Sequence, residues 1–192
     1  MKQYTILLFL SISFFSCSND LSKEEVEHYT AKGNLIVTKT AGELSGNLMS
    51  KMKEGGIPLA VEYCNTAALP LTSKISDNHG VQIKRTSLKS RNVLNNPTEN
   101  EVFVIKEFQN ELNKGESLKP KVRSDQNANP HYYAPILVEQ KCLMCHGTIN
   151  KEVSRATDSI IKSYYPEDLA TGFHEGDLRG IWSISFGKSL KP

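Results

Sequence analysis

The order of hydrophobic patterns predicts an α+β fold. Helical spacings dominate up to Gly80, strand-like and helical patterns mix after it, and no β-α-β repeat appears. Such a chain fits a small antiparallel sheet with long N-terminal helices packed on one side. Its 192 residues suffice for one ordinary domain and are short for two.

Ser22 to Met52 reads as a long helix. Ser22 and Glu25 have capping-box spacing, and Leu44, Leu48, Met49 and Met52 recur every three or four residues. Gly55-Gly56 ends it. Pro58 suits the first turn of a second helix, with Ala60, Val61, Cys64, Ala67 and Ala68 on its buried stripe and a kink expected at Pro70. Asn78-His79-Gly80 closes that helix. Val81 to Leu88 alternates as a strand, Ser90 to Pro97 is a polar loop, and Thr98 with Glu101 forms a second capping box. The helix it opens carries Val104, Phe108 and Leu112 and stops at Gly115. Ser124 to Pro130 reads as loop and Tyr132 to Val138 as strand. Val153 to Tyr165 reads as helix, stopped by Pro166, and Thr171 to Arg179 as a Gly-rich loop. Ile181 to Phe186 alternates with serine, as a strand with one buried face does.

The first sixteen residues stand apart. Lys2 precedes an apolar run from Tyr4 to Phe15, too short to span a bilayer but of the length of a signal-peptide core. Ser16-Cys17 follows, and a small residue before cysteine at that place resembles a bacterial lipobox. The resemblance implies cleavage before Cys17 and lipidation of its thiol. The expected organisation is a signal peptide over 1–16, a lipidated tether over 17–24 and one domain over 25–190. The protein would be exported and lipid-anchored to a bacterial membrane, facing the periplasm or the cell exterior. Apolar residues at 39% and charged residues at 23% describe a globular rather than a disordered chain. The net charge of +2 gives no reason to expect nucleic acid as a partner. No G-x-S-x-G elbow, P-loop or H-E-x-x-H helix is present, so nothing argues for hydrolysis.

Four cysteines occur: Cys17, Cys64, Cys142 and Cys145. Cys142-Leu143-Met144-Cys145-His146 is C-x-x-C-H, the pattern of c-type haem attachment. Each thiol adds across one haem vinyl group, two intervening residues let one helical turn span both vinyls, and the next residue offers its imidazole to iron. At this composition the pattern arises by chance in about two such chains per thousand. The rival uses of C-x-x-C lack their context. A thioredoxin-like pair wants a β-α-β unit, and a zinc site wants a second Cys/His pair.

A second axial ligand can come from Met49, Met52, Cys64, His28, His79, His131 or His174. Methionines on a helix stripe are commonly plain core, and an unpaired cysteine on an apolar face is equally at home as a ligand or as an inert buried thiol. Arg85, Arg91 and Arg179 are candidates to pair with haem propionates, with Arg91 the leading one. Tyr132, Tyr133 and Trp182 are candidates to wall the haem. Glu62 and Asn65 flank Cys64 and could serve as the polar groups of peroxide or nitrogen-oxide chemistry, but helix geometry aims them elsewhere than Cys64.

Five segments occur in a telling order: Val61 to Asn65, Arg85 through Arg91-Asn92 to Asn96-Pro97, Cys142 to Gly147, Tyr165 to Asp168, and Gly172 to Gly180. Together they resemble a family of PAS-like c-type haem domains, found in periplasmic sensing regions of bacterial signalling proteins and as a stand-alone monohaem cytochrome in cyanobacteria. The resemblance covers most of residues 25–187. It implies a PAS-like α+β fold, one covalent haem c, and iron bound by His146 and by the cysteine of the Tyr-Cys-Asn segment, Cys64. It implies a redox- or small-ligand-responsive haem module that answers to a diatomic gas and a redox or signalling partner. The alternatives are a monohaem electron-transfer cytochrome and a haem enzyme.

Overall fold

A computed structural model describes residues 21–187. The expected signal segment, the tether up to residue 20, Cys17 and residues 188–190 of the expected domain lie outside them.

Helix α1 spans Lys23–Thr66 and is broken at Gly55 and Gly56. Ser22 caps its start with Glu25 as a complete capping box, as the spacing predicts. The break belongs to Gly56, whose φ of 67° and ψ of −158° are open to glycine and strained for other residues. Helix α2 spans Ala68–His79 and ends on Gly80 in the left-handed conformation. The expected kink at Pro70 lies earlier, at Ala67 (φ −114°). Pro70 sits in the first turn of α2, where its missing N–H costs nothing. Its ring would clash with the carbonyl four residues back in a continuous helix, so the chain breaks upstream of it.

Strands β1 (Gln82–Thr86), β2 (Lys121–Ser124), β3 (Pro130–Leu137) and β4 (Leu178–Ser185) form one antiparallel sheet in the order β1-β4-β3-β2. Helix α3 (Glu99–Asn113) opens on the Thr98–Glu101 capping box. Helix α4 is the single turn Leu143–His146, and α5 is Arg155–Tyr164.

Strand β4 is central and buried on both faces. Trp182 and Ile184 face α1 with Tyr132, Ala134 and Ile36. Ile181 faces α3, in a cluster with Tyr133, Val104, Ile105 and Phe108. The expectation of helices on one side is therefore corrected: α3 covers the second face, and Ser183 is buried there. Beyond the break, α1 packs Ile57 and Val61 against Ile161 and Tyr165 at the end of α5, with Cys145 beside them. No helix among the described residues is long and apolar enough to cross a membrane.

Candidate functional site

A cavity of about 590 Å³ lies between α1 and the sheet. This is within the range of about 300–1,000 Å³ that ligand and cofactor pockets occupy. Cys64, Cys142, Cys145 and His146 all line it. The three cysteines are free thiols.

Local chemistry fixes the C-x-x-C-H turn. Cys142 closes a short 3-10 turn begun at Gln140, and α4 follows at once. Leu143 anchors the turn in an apolar cluster with Val138, Ala170 and Phe173. The end of the turn is pinned to the Gly-rich loop, because Phe173 N–H donates to the His146 carbonyl (3.0 Å) and Gly172 N–H to the Gly147 carbonyl (2.8 Å).

Arg91 supplies the remaining restraint. Its Nε donates to Asp168 Oδ1 (3.1 Å), and its Nη2 to the carbonyls of Cys145 (2.5 Å) and Ala170 (3.2 Å). Only 1% of the Asp168 side chain is exposed, so this is a buried ion pair, and it ties three segments together. The Arg-Asn loop expected to meet propionates lines the cavity. Most of the guanidinium is committed to holding the motif.

His146 is oriented for ligation. Its Nδ1 lies 2.7 Å from the Ala170 carbonyl, which only accepts, so Nδ1 carries the proton and Nε2 keeps its lone pair. Burial, helped by the cations of Arg91 and Arg179, holds the imidazole well below its ordinary pKa, so it is neutral at neutral pH. Phe173 meets the ring edge-on at 6.4 Å. Burial pushes the Cys64 and Cys145 thiols up, against the pull of Arg85 on the first and Arg91 on the second.

Of the other ligand candidates, Met49 and Met52 line the cavity, whereas His28, His79, His131 and His174 do not. His131 is engaged by Asp125 (3.3 Å), and His174 lies against Asp177 (3.5 Å). Trp182 walls the cavity as expected, but Tyr132 and Tyr133 do not. Tyr132 is the correction among the named site residues. Its ring is buried under α1 at Gly33, and its hydroxyl donates to Asn34 Oδ1 at 2.6 Å. Trp182 is two residues along β4 from Ile184, the cross-strand partner of Tyr132, so the two aromatics share a face but serve different parts of it. Glu62 is exposed and Asn65 donates to the Tyr164 carbonyl (3.3 Å), so neither lines the cavity.

Sequence reasoning did not single out Tyr63 or Tyr165, which also line the cavity. The Tyr63 hydroxyl is buried without a partner. Their positions beside Cys64 and Pro166 were the available signal.

Among the described residues no three His, Cys, Asp or Glu side chains are placed to hold a bare metal ion. A macrocycle brings its own four nitrogens and asks the protein for only one or two ligands. The donor set therefore fits a haem: two thiols and an imidazole from one turn, a third thiol from a helix lining the same cavity, and apolar and aromatic walls.

The fold and site define a class: an α+β, PAS-like domain in which a C-x-x-C-H turn and a helix-borne cysteine face one cavity. Residues 20–187 match the model of the family described as Tll0287-like, and the chain belongs to that family. The fold is also similar to the crystal structure of the cyanobacterial haem protein Tll0287, with a TM-score of 0.59 and 24% identity over 90% of this chain and 100% of that one. No curated protein matches the sequence.

Proposed function

We propose that this protein is an exported lipoprotein, anchored through Cys17, whose domain carries one covalent haem c and acts as a redox- or small-ligand-responsive module. The observation that carries the reading is convergence. Cys142, Cys145, His146 and Cys64, up to 82 positions apart in sequence, line one cavity of cofactor size. The cyanobacterial protein Tll0287, whose fold this chain resembles, is a haem protein, which supports the same reading.

Cys142 and Cys145 would form the two thioethers, and His146 Nε2 would bind the iron. Cys64 Sγ would be the second protein ligand, losing its proton as it binds. Bound haem would supply a one-electron centre and a site for small ligands. The residues around it act before any such event. Ala170 fixes the His146 tautomer, the Arg91–Asp168 pair fixes the turn, and the apolar walls exclude water. Cys64 sits eight residues after Gly56, on a segment separated from the main helix by the Gly55–Gly56 break. This placement favours a thiol that can be exchanged for a diatomic gas, with a signalling or redox protein receiving the change.

A second reading, a monohaem electron carrier, draws on a different feature. Met49, Leu137 and Met144 line the cavity and are each about 40% exposed, so an apolar rim borders its mouth. The haem-enzyme alternative gains no support, since Glu62 and Asn65 stand off the cavity.

The test is a pyridine haemochrome spectrum after acid-acetone extraction, on protein made with c-type maturation machinery. A c-type band that stays with the chain is expected, and its loss to the solvent overturns the reading. Carbon monoxide added to the reduced protein then separates the roles: a changed spectrum marks a responsive module, and an unchanged one a carrier.

A further inference from the structure

The cavity wall holds more positive charge than the protein neutralises. Its charged lining residues are Arg85, Arg91, Arg179 and Lys141, and no carboxylate lines it. Two of the four are paired: Arg91 with Asp168 and Lys141 with Glu139 (2.8 Å). Among the described residues neither Arg85 nor Arg179 lies within salt-bridge distance of a carboxylate, the arginine pairs being Arg91–Asp168 and Arg123–Glu107.

Both unpaired guanidiniums are held on aromatic faces. Arg85 lies over the Trp182 ring at 5.7 Å, and Arg179 over Phe173 at 5.2 Å. Arg179 donates one hydrogen bond, from Nη1 to the Lys89 carbonyl (3.1 Å). Asp168 is near enough to favour the Arg179 cation, but its carboxylate is bonded to Arg91. Burial pulls both arginines below their ordinary pKa, that of Arg179 to about 10. Both arginines are half-buried, and a cation taken even partly out of water without an anion is costly, so the wall is suited to an anion that arrives to meet it.

We infer that Arg85 and Arg179 are the carboxylate-binding pair of this cavity and receive the two propionates of the haem, one each, while Arg91 serves the protein. The inference rests on the haem reading above. It matches two unpaired cations to a ligand with two carboxylates, and guanidinium to the planar anion it binds with two parallel hydrogen bonds. Tyr63, whose buried hydroxyl has no partner, lines the same wall and can donate to a carboxylate held at Arg85. A free dicarboxylate would satisfy the same charges, so the readout must report on the propionates themselves.

The experiment is resonance Raman of the propionate bending bands in the full haem-loaded chain, comparing wild type with Arg85→Gln, Arg179→Gln and Lys32→Gln. Each arginine variant is expected to keep its haemochrome band, shift one propionate band and lower the midpoint potential, since a cation near the iron is lost. Arg85→Lys and Arg179→Lys restore charge but not the planar fork, so they should recover the potential and leave the band shifted. Lys32→Gln, an exposed cation elsewhere, should change neither. If a glutamine variant does not accumulate with haem, the lysine variant of that position decides. Propionate bands unmoved in both arginine positions overturn the inference while the haem reading stands. Loss of the haemochrome from wild type overturns the reading beneath it.

Discussion

Helix α1 crosses one face of the sheet and meets it in two different ways. At one end Gly33, Ile36 and Thr40 are buried, and the helix comes down onto Tyr132 so closely that a Cβ at Gly33 would stand 2.3 Å from the ring. At the other end Gly42 and Gly46 have nothing within 4 Å of a Cβ position, Met49 is exposed, and the space between helix and strands is the cavity. The helix is the same and so is the sheet face. The difference is whether a glycine lets the helix close on an aromatic ring. Where it does, there is core. Where it does not, Trp182, Arg85 and the C-x-x-C-H turn share a space that the chain's own side chains leave open. The break at Gly55–Gly56 then brings Val61 and Cys64 back over that space.

The largest way to break the comparison is at its tight end. Gly33→Val should cost about 3 kcal/mol, because Tyr132 is buried and bonded to Asn34 and has nowhere to move. In a chain of this size that is a fall in Tm of roughly 6–12 °C, readable by calorimetry. The visible spectrum of the haem-loaded protein should not change. A changed spectrum with an unchanged Tm would show that the two ends are one unit.

A smaller loss is expected where the site is tied to the fold. Asp168→Asn removes the anion from the Arg91 clip and should cost about 2 kcal/mol by denaturant unfolding. The yield of protein with attached haem should fall with it, since Arg91 positions the Cys145 carbonyl. Stability lost with full haem yield would mean that the clip serves the core alone.

Cys64→Ala is expected to do the reverse, with little loss of stability at a half-buried position and a large change in the site. Haem should stay attached, its visible spectrum should change, and its midpoint potential should rise as a thiolate donor is lost. An unchanged spectrum would move the second ligand to Met49 or Met52, which line the same cavity.

The division between the two ends also marks what the sequence could reveal. Both capping boxes, the Gly55–Gly56 break and the C-x-x-C-H turn are local, and each was readable from residues a few positions apart. Strand β2 was not. It is a short edge strand, Lys-Val-Arg-Ser, whose pairing with β3 comes from tertiary packing rather than from alternation. The break at Ala67 was read at Pro70 because the ring acts on the turn before it. Burial of Ser183 depends on α3 covering the second sheet face, and no pattern within β4 tells of that. In the site, the partnership of Arg91 with Asp168 spans 77 residues, and the separation of Tyr132 from Trp182 depends on how far α1 stands from each strand end. Cys64 was paired with His146 by the family resemblance and not by spacing. Distances across a cavity leave no periodic mark.

The smallest expected effect tests the open end directly. Gly46 lies inside α1, exposed and with no atom in the way of a methyl group. Gly46→Ala should therefore gain up to about 1 kcal/mol from helix propensity alone. That is a rise in Tm of roughly 2–4 °C. Because Gly46 lines the cavity, the sign of the change in the haem-loaded protein carries information. A higher Tm with an unchanged spectrum says that this stretch of helix stands clear of the cofactor. A lower Tm with a shifted spectrum says that α1 closes on the haem at Gly46 as it closes on Tyr132 at Gly33. The two ends of the helix would then follow one rule, with a protein ring under one glycine and a porphyrin under the other.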